Sequence, residues 1–402
     1  MQNTHFDRRI YLFAGGHFAV DWAQSAIPAL LPYFISVCNL SYQDAGTLIF
    51  GNILLASLCQ PILGYYADKV SKPWLAPLGP VISGLSIALL PFTTNFWVIF
   101  LCSMFSGFGS ALYHPEAARM VNGLAGEQKG RALGTFSVGG NTGFAIGPMF
   151  AGFCAYIFDV HGLVVFGILN CLLALVLYRQ LPGIQADIHH EQIAEAKAHP
   201  NRVPTNDWVA FGKLAFVILG RSVGFSICNA FIPLYWINVL HTSPEQGSFA
   251  LTVLFTMGAF ITYFGGIISD RLGFVRVIRI AFTLMVPAMF LLTNSTNYLL
   301  SMLSLVPVAI TLFAPYSSIV VLGQTYLGKN IAFASGITLG LAVTAGGLFS
   351  PLVGRAADLW GLPTALQSLW VIAIVAALAS FALPQPHNTY EADTQDTAET
   401  EK

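Results

Sequence analysis

Residues 73–115 read PWLAPLGPVISGLSIALLPFTTNFWVIFLCSMFSGFGSALYHP and contain no Asp, Glu, Lys or Arg. The run is long enough for two helices of about 20 residues with a turn between them, the length that crosses a bilayer. A second uncharged run covers 280–328 apart from its flanks. Of the 402 residues, 55% are hydrophobic and only 9% charged, against about 25% charged in a soluble domain. The chain therefore reads as an all-α membrane protein with several spans. Its net charge of −1 says little about partners, and it has no basic patch for nucleic acid. Six cysteines stand singly in apolar segments, without the spacing of a disulfide framework or a zinc site.

Working outward from this run, hydropathy predicts twelve spans, at roughly 9–37, 43–67, 73–93, 96–121, 129–157, 161–180, 208–239, 246–269, 274–293, 297–325, 329–354 and 361–383. The connections are short except for 181–207, a polar stretch expected to be a linker. The chain thus divides into an N-terminal six-helix bundle (1–180), the linker, a C-terminal six-helix bundle (208–383) and an acidic tail (384–402) of disordered composition. With the N-terminus inside, all but two of the 18 Lys and Arg residues fall at or near the cytoplasmic side, the exceptions being Arg355 outside and Arg221 in mid-span. Linker, both termini and tail are then cytoplasmic.

The two bundles are related in sequence. Leu31-Pro32-Tyr33 matches Ile232-Pro233-Leu234, Tyr113-His114-Pro115 matches Phe313-Ala314-Pro315, and Gly147-Pro148 matches Ser350-Pro351, all at offsets near 200. Gly64–Lys69 (GYYADK) matches Gly266–Arg271 (GIISDR) in the same way. A duplicated six-helix unit is a transporter design, with the substrate near mid-membrane between the halves.

Within these spans a few residues carry chemistry. His17 and Asp21 share a face of span 1, Asp21 near the bilayer centre, where a charged side chain costs about 2.5–3.5 kcal/mol on insertion scales. A carboxylate that alternates between protonated and charged forms suits a proton-coupled carrier; a structural ion pair is the other reading. Arg221 sits at the matching depth in span 7, so a contact with Asp21 across a central cavity is expected, or a bidentate hold on an anionic substrate. His114 in span 4 could relay a proton. Glu116 and Arg119, three apart, are either part of the proton path or a solvated pair at the mouth. Trp22, Tyr113 and Asn141 adjoin these positions and are candidates to line the substrate site. Asp68 and Asp270, each followed by a cation (Lys69, Arg271) and preceded by a glycine (Gly64, Gly266), could latch the cytoplasmic helix ends or simply cap a helix. Gly139, Gly143 and Gly147 fall on one face of span 5, suited to close packing or bending at the boundary between halves.

The paired Gly-x-x-x-Asp-cation signatures, the twelve spans and the central linker resemble the major facilitator superfamily across essentially the whole chain. The second copy, with Gly266, Asp270, Arg271 and Gly273, matches better than the first, where Ser71 and Pro73 depart from the pattern. Gly147-Pro148 followed by Gly152 resembles the span 5 antiporter signature. GGHFAVDW in span 1, GSALYHPEAARM in span 4 and GGNTG in span 5 are similar to the fosmidomycin-resistance branch of drug exporters. Many other drug exporters carry an Arg shortly before the span 4 Gly-x-Gly; here Ser103–Ser106 precede Gly107 without one, so Asp21, His114 or Arg119 must take its part. The resemblance implies proton-coupled efflux of a small organic compound, anions among the candidates, by alternating access in a bacterial inner membrane. It implies a monomer driven by the proton gradient, without cofactor or metal. Proton-coupled uptake of a metabolite or metal chelate is the alternative. An enzyme is not expected, because no HExxH, GxSxG or clustered Asp/His motif is evident, and nucleotide-driven transport is not expected, because no P-loop occurs.

Overall fold

The computed structural model describes residues 6–40, 42–70, 72–157, 159–198, 203–341, 344, 348–386 and 390–391. The first half consists of α1 (Ile10–Val37), α2 (Tyr42–Lys69), α3 (Leu75–Leu89), α4 (Phe96–Leu124), α5 (Lys129–Ile157) and α6 (Val164–Ala198). The second consists of α7 (Trp208–Asn238), α8 (Pro244–Leu272), α9 (Phe274–Asn294), α10 (Tyr298–Phe313), α11 (Tyr316–Tyr326), α12 (Ile331–Ser335), a π-helical turn (Gly336–Leu341), α13 (Ser350–Trp360), α14 (Leu362–Leu366) and α15 (Ser368–Phe381). Nine helical segments among the described residues are long and apolar enough to cross a membrane. Helices α1 and α5 and the α12–α13 segment complete the expected twelve.

Local chemistry sets the boundaries. Side chains of Asn95, Asp207, Ser243 and Asn297 accept first-turn amides of α4, α7, α8 and α10, satisfying donors that a helix start leaves open. Gly273, with φ of 88°, makes the one-residue corner between α8 and α9, a conformation other residues adopt only with strain.

Three expected spans come out differently. Span 6 does not stop at 180: α6 runs on to Ala198, so most of the expected linker is helical. The span expected at 297–325 breaks at Ala314–Pro315 into α10 and α11. Its counterpart Pro115 lies inside an unbroken α4, so the shared proline acts differently in the two halves. Among its described residues span 11 is not one regular helix: α12, the π turn and the start of α13 are present, and 342–343 and 345–347 lie outside the described residues. Beyond the last helix, Tyr390–Glu391 pair antiparallel with Val203–Pro204. The remainder of the acidic tail beyond Glu391 lies outside the described residues, as does Ser71.

Each half has its own apolar core, and one cluster of the first half also takes in Val320, Val321 and Leu339 of the second. In the first, α1 packs along α5, and α4 packs against α2 and α3; in the second, α7, α9 and α15 pack together. Large apolar residues such as Phe50, Ile62, Met149, Phe260 and Leu299 face outward. That pattern suits a lipid surround, where hydrophobicity alone does not hold helices together. The halves meet along two seams, α5 on α8 and α2 on α12 and the π turn.

Candidate functional site: a buried His–Asp–His cluster between two seams

Asp21 is 3% exposed and lies between two histidines. His17 Nε2 is 3.2 Å from its Oδ2, and His114 Nε2 is 3.3 Å from its Oδ1. His17 is presented from the same face of α1, four residues earlier, and His114 comes from α4. The far side of each ring is held. His17 Nδ1 lies 2.8 Å from the carbonyl of Phe136 on α5, and His114 Nδ1 lies 3.2 Å from both Gln60 Nε2 and Ser110 Oγ.

These outer contacts fix where protons sit. A carbonyl only accepts, so His17 Nδ1 carries the hydrogen and donates it to Phe136. Its Nε2 then faces Asp21 Oδ2 at 3.2 Å, a spacing that a proton on either group would bridge. His114 accepts from the Gln60 amide at Nδ1 and turns Nε2–H toward Asp21. His114 Nε2 and Asp21 Oδ1 lie off the line of a hydrogen bond and, among the described residues, make none. The cluster is a buried carboxylate between two histidines, one from its own helix and one, less well aligned, from α4. A ring nitrogen or carboxylate oxygen from each of the three side chains lies within 4.8 Å of the others.

The span 5 glycines make room for the cluster. A Cβ at Gly140 would stand 2.6 Å from Asp21 Oδ2 and on top of His17 Nε2. A Cβ at Gly139 would meet the backbone of Ala14; at Gly143, that of Phe18 and Trp22; at Gly147, Trp22 and Ser25. The glycine face therefore packs α5 on α1 inside the first half, which corrects its expected place at the boundary between halves. That boundary is served by Gly130 and Gly134, which face Gly266 and Thr262 of α8. Gly152 has open space where a Cβ would go, and Pro148 lies inside the continuous α5.

Other expected site residues are placed as follows. Glu116 is 1% exposed and pairs with Arg119 at 2.5 Å, so the carboxylate is buried while Arg119 is partly exposed, and the pair is not a fully solvated one at a mouth. Trp22 stacks between Phe150 and Phe166 and donates to Asn170 Oδ1 at 2.7 Å. Tyr113 is fully buried and donates to the carbonyl of Phe13. Both are packed into the first half. Asn141 reaches Thr262 across the α5–α8 seam at 3.4 Å.

Asp21 does not pair with Arg221, contrary to the sequence-based expectation. The two histidines of its own half reach it first. Arg221 is 5% exposed, donates from Nε to the carbonyl of Leu312 at 2.6 Å and stacks its guanidinium over Tyr316, 4.6 Å from the ring centre. Tyr316 also packs against the first half's core. It therefore stands between the two charged sites.

The paired motifs close one end of the molecule. Asp68 Oδ1 and Oδ2 accept the amides of Ala332 and Phe333 at 2.8 and 2.9 Å. Asp270 accepts those of Gly130 and Arg131 at 2.7 and 2.8 Å. Each aspartate thus caps a helix of the opposite half. A Cβ at Gly64 would run into the backbone of Ala332, and one at Gly266 into that of Gly130. The cations that follow take no part in the capping: Lys69 lies over the ring of Tyr65, and Arg271 is exposed. Asn122 and Gln324, themselves counterparts, bond directly at 2.6 Å.

Sequence reading passed over Gln60, Ser110, Phe136 and Gly140. Gln60 and Ser110 are uncharged polar residues in apolar spans, and an amide beside Pro61 was the available signal. Phe136 contributes only a carbonyl, which no side-chain pattern reveals.

Two related six-helix bundles around buried ionisable groups, sealed at one end by reciprocal caps, define a membrane transporter. The family model of the Major Facilitator Superfamily matches residues 13–351, and the chain belongs to that family. The chain is similar to an uncharacterised MFS-type transporter, YfnC, of Bacillus subtilis, at 29% identity over 93% of this chain and 92% of that one. It is also similar to the fosmidomycin resistance protein of Escherichia coli, at 28% identity over 85% of this chain and 84% of that one. The crystal structure of a variant of the E. coli fucose:proton symporter FucP shares its fold with a TM-score of 0.73 at 13% identity, covering 94% of this chain and 99% of that one. The protein is a multi-pass membrane transporter and not an enzyme.

Proposed function

We propose that this transporter exports a small anionic organic compound in exchange for protons. The observation that carries the reading is the buried Asp21 carboxylate held between the rings of His17 and His114. A buried carboxylate flanked by two imidazole rings is suited to taking up and releasing a proton once per cycle. Arg221 is held by a carbonyl and an aromatic face and, among the described residues, has no carboxylate partner. Its guanidinium is suited to an anionic group of the substrate. The similarity to a fosmidomycin resistance protein supports export.

The end carrying Asp68 and Asp270 also carries the basic residues and faces the cytoplasm. With that end sealed, substrate leaves outward as the cluster gains a proton. The protonated form favours opening of the cytoplasmic seams, and loss of the proton there readies the site for the next substrate. Coupling requires that protonated and deprotonated forms differ in affinity for the two conformations.

A growth-protection screen against small anionic antibiotics tests the reading, comparing wild type with Asp21→Asn and His114→Ala at equal membrane abundance. Protection by wild type that both variants lose is expected. Protection retained in full by Asp21→Asn sinks the coupling role.

A further inference from the structure

Gln60 touches both the proton cluster and the seam between the halves. Its Nε2 is 3.2 Å from His114 Nδ1. Its backbone carbonyl lies where a Cβ at Gly336 would come within 2.6 Å, and its amide fills the space that a Cβ at Gly340 would need. Both glycines belong to the π-helical turn of the other half. Further along α2, Ser57 Oγ contacts Thr344 and Asp68 caps α12. The buried Gln60 Oε1 has no hydrogen-bond partner among the described residues.

We infer that Gln60 is a positioning residue that carries the protonation state of His114 to the α2–π-turn seam. The inference rests on the proton-coupled reading above. The chemistry is a donor–acceptor exchange. With His114 neutral, the amide N–H of Gln60 donates to the lone pair on Nδ1. When His114 gains a proton, Nδ1 becomes a donor: the Ser110 hydroxyl can turn to accept it, but the amide N–H of Gln60, another donor, still faces it. The clash with Gln60 is relieved when the amide turns over and offers Oε1, which has no hydrogen-bond partner among the described residues. The NH2 group then points at Gly340, where an oxygen stood before, and the seam must adjust. Glycine at 336 and 340 lets the two backbones sit close enough to feel that change.

The titratable groups facing His114 are Asp21 and His17, both from α1. Tyr113 precedes it on α4, and Tyr316 of α11 interacts electrostatically with Asp21. Among the described residues that contact it, α2 contributes the neutral Gln60 and α4 the neutral Ser110.

The test measures opening of the Asp68 end directly, without a substrate. Labels are placed through unnatural amino acids at the exposed positions Lys69 and Lys329, one on each half. The distance between them is followed in lipid nanodiscs from pH 8 to pH 6. Wild type is expected to move toward the open form as pH falls, by about tenfold in the open-to-closed ratio, the scale of one hydrogen bond to a charged group. Gln60→Met keeps the volume and removes the amide, and its ratio is expected to be flat with pH. Gly340→Ala, which denies the amide its room, gives an independent variant with the same expected loss. Asp21→Asn is measured alongside. If Asp21→Asn abolishes the response while Gln60→Met and Gly340→Ala keep the wild-type slope, the relay is overturned and proton coupling stands. If Asp21→Asn itself keeps the slope, the proton-coupled reading fails.

Discussion

Asp68 and Asp270 stand 202 positions apart and perform the same act on opposite halves. Each lays its carboxylate across two successive amides, Ala332 and Phe333 for one, Gly130 and Arg131 for the other, and those amides are themselves 202 positions apart. The positive end of a helix favours an anion there. The two seams are thus one device used twice, and the closed end is held by four charge-assisted hydrogen bonds.

Asp68→Asn and Asp270→Asn are each expected to loosen that end by about 1.5–3 kcal/mol, the range of a hydrogen bond to a charged group. The two shifts should be alike in size. Accessibility of a cysteine introduced at Gly134, on the α5–α8 seam, reports the effect, with reaction faster in both variants than with Gly134→Cys alone.

Gly140→Ala should abolish transport, because its methyl occupies the place where His17 Nε2 and Asp21 Oδ2 meet. Gly152→Ala, in the same helix and facing open space, should change stability by no more than about 0.5 kcal/mol. Transport assays at matched membrane abundance separate the two. Equal activity in both variants would contradict the placement of the cluster.

Arg221→Met should weaken substrate affinity about tenfold or more, the scale of a charge-assisted contact, while leaving the pH profile of transport in place. Asp21→Asn should do the reverse, flattening the profile with a smaller effect on affinity. Transport rates measured against concentration at several pH values resolve the two. The separation is expected because Arg221 and Asp21 belong to different halves and do not pair.

Gly273→Ala should destabilise the fold by about 1–2 kcal/mol, because φ of 88° there is a strained position for alanine. Thermal unfolding in detergent gives the measure, with Gly212→Ala, in open space on α7, as the reference.

The twelve spans, the duplication and the motif positions were legible because membrane crossing demands long apolar helices and the repeat doubles each signal. His17, Asp21 and His114 were legible as ionisable groups in apolar runs. What pairs them was not. The Asp21–Arg221 expectation relied on matching depth across the halves, whereas His114 of α4 lies nearer, and helix packing decides such distances. Likewise the glycines of span 5 showed a flat face without showing that α1 would occupy it. The break at Pro315 against the unbroken helix at Pro115 was invisible for a related reason. Proline removes one hydrogen bond in both places, and the surroundings decide whether the helix continues.

The central claim is that the Asp21 cluster exchanges a proton for substrate. It is tested most directly in inverted membrane vesicles holding an acid interior, with a pH-sensitive dye following proton loss as small anionic compounds are added. Wild-type vesicles are predicted to release protons on addition of a transported compound, and Asp21→Asn vesicles of equal protein content to release none. Proton release by Asp21→Asn at the wild-type rate would contradict that exchange.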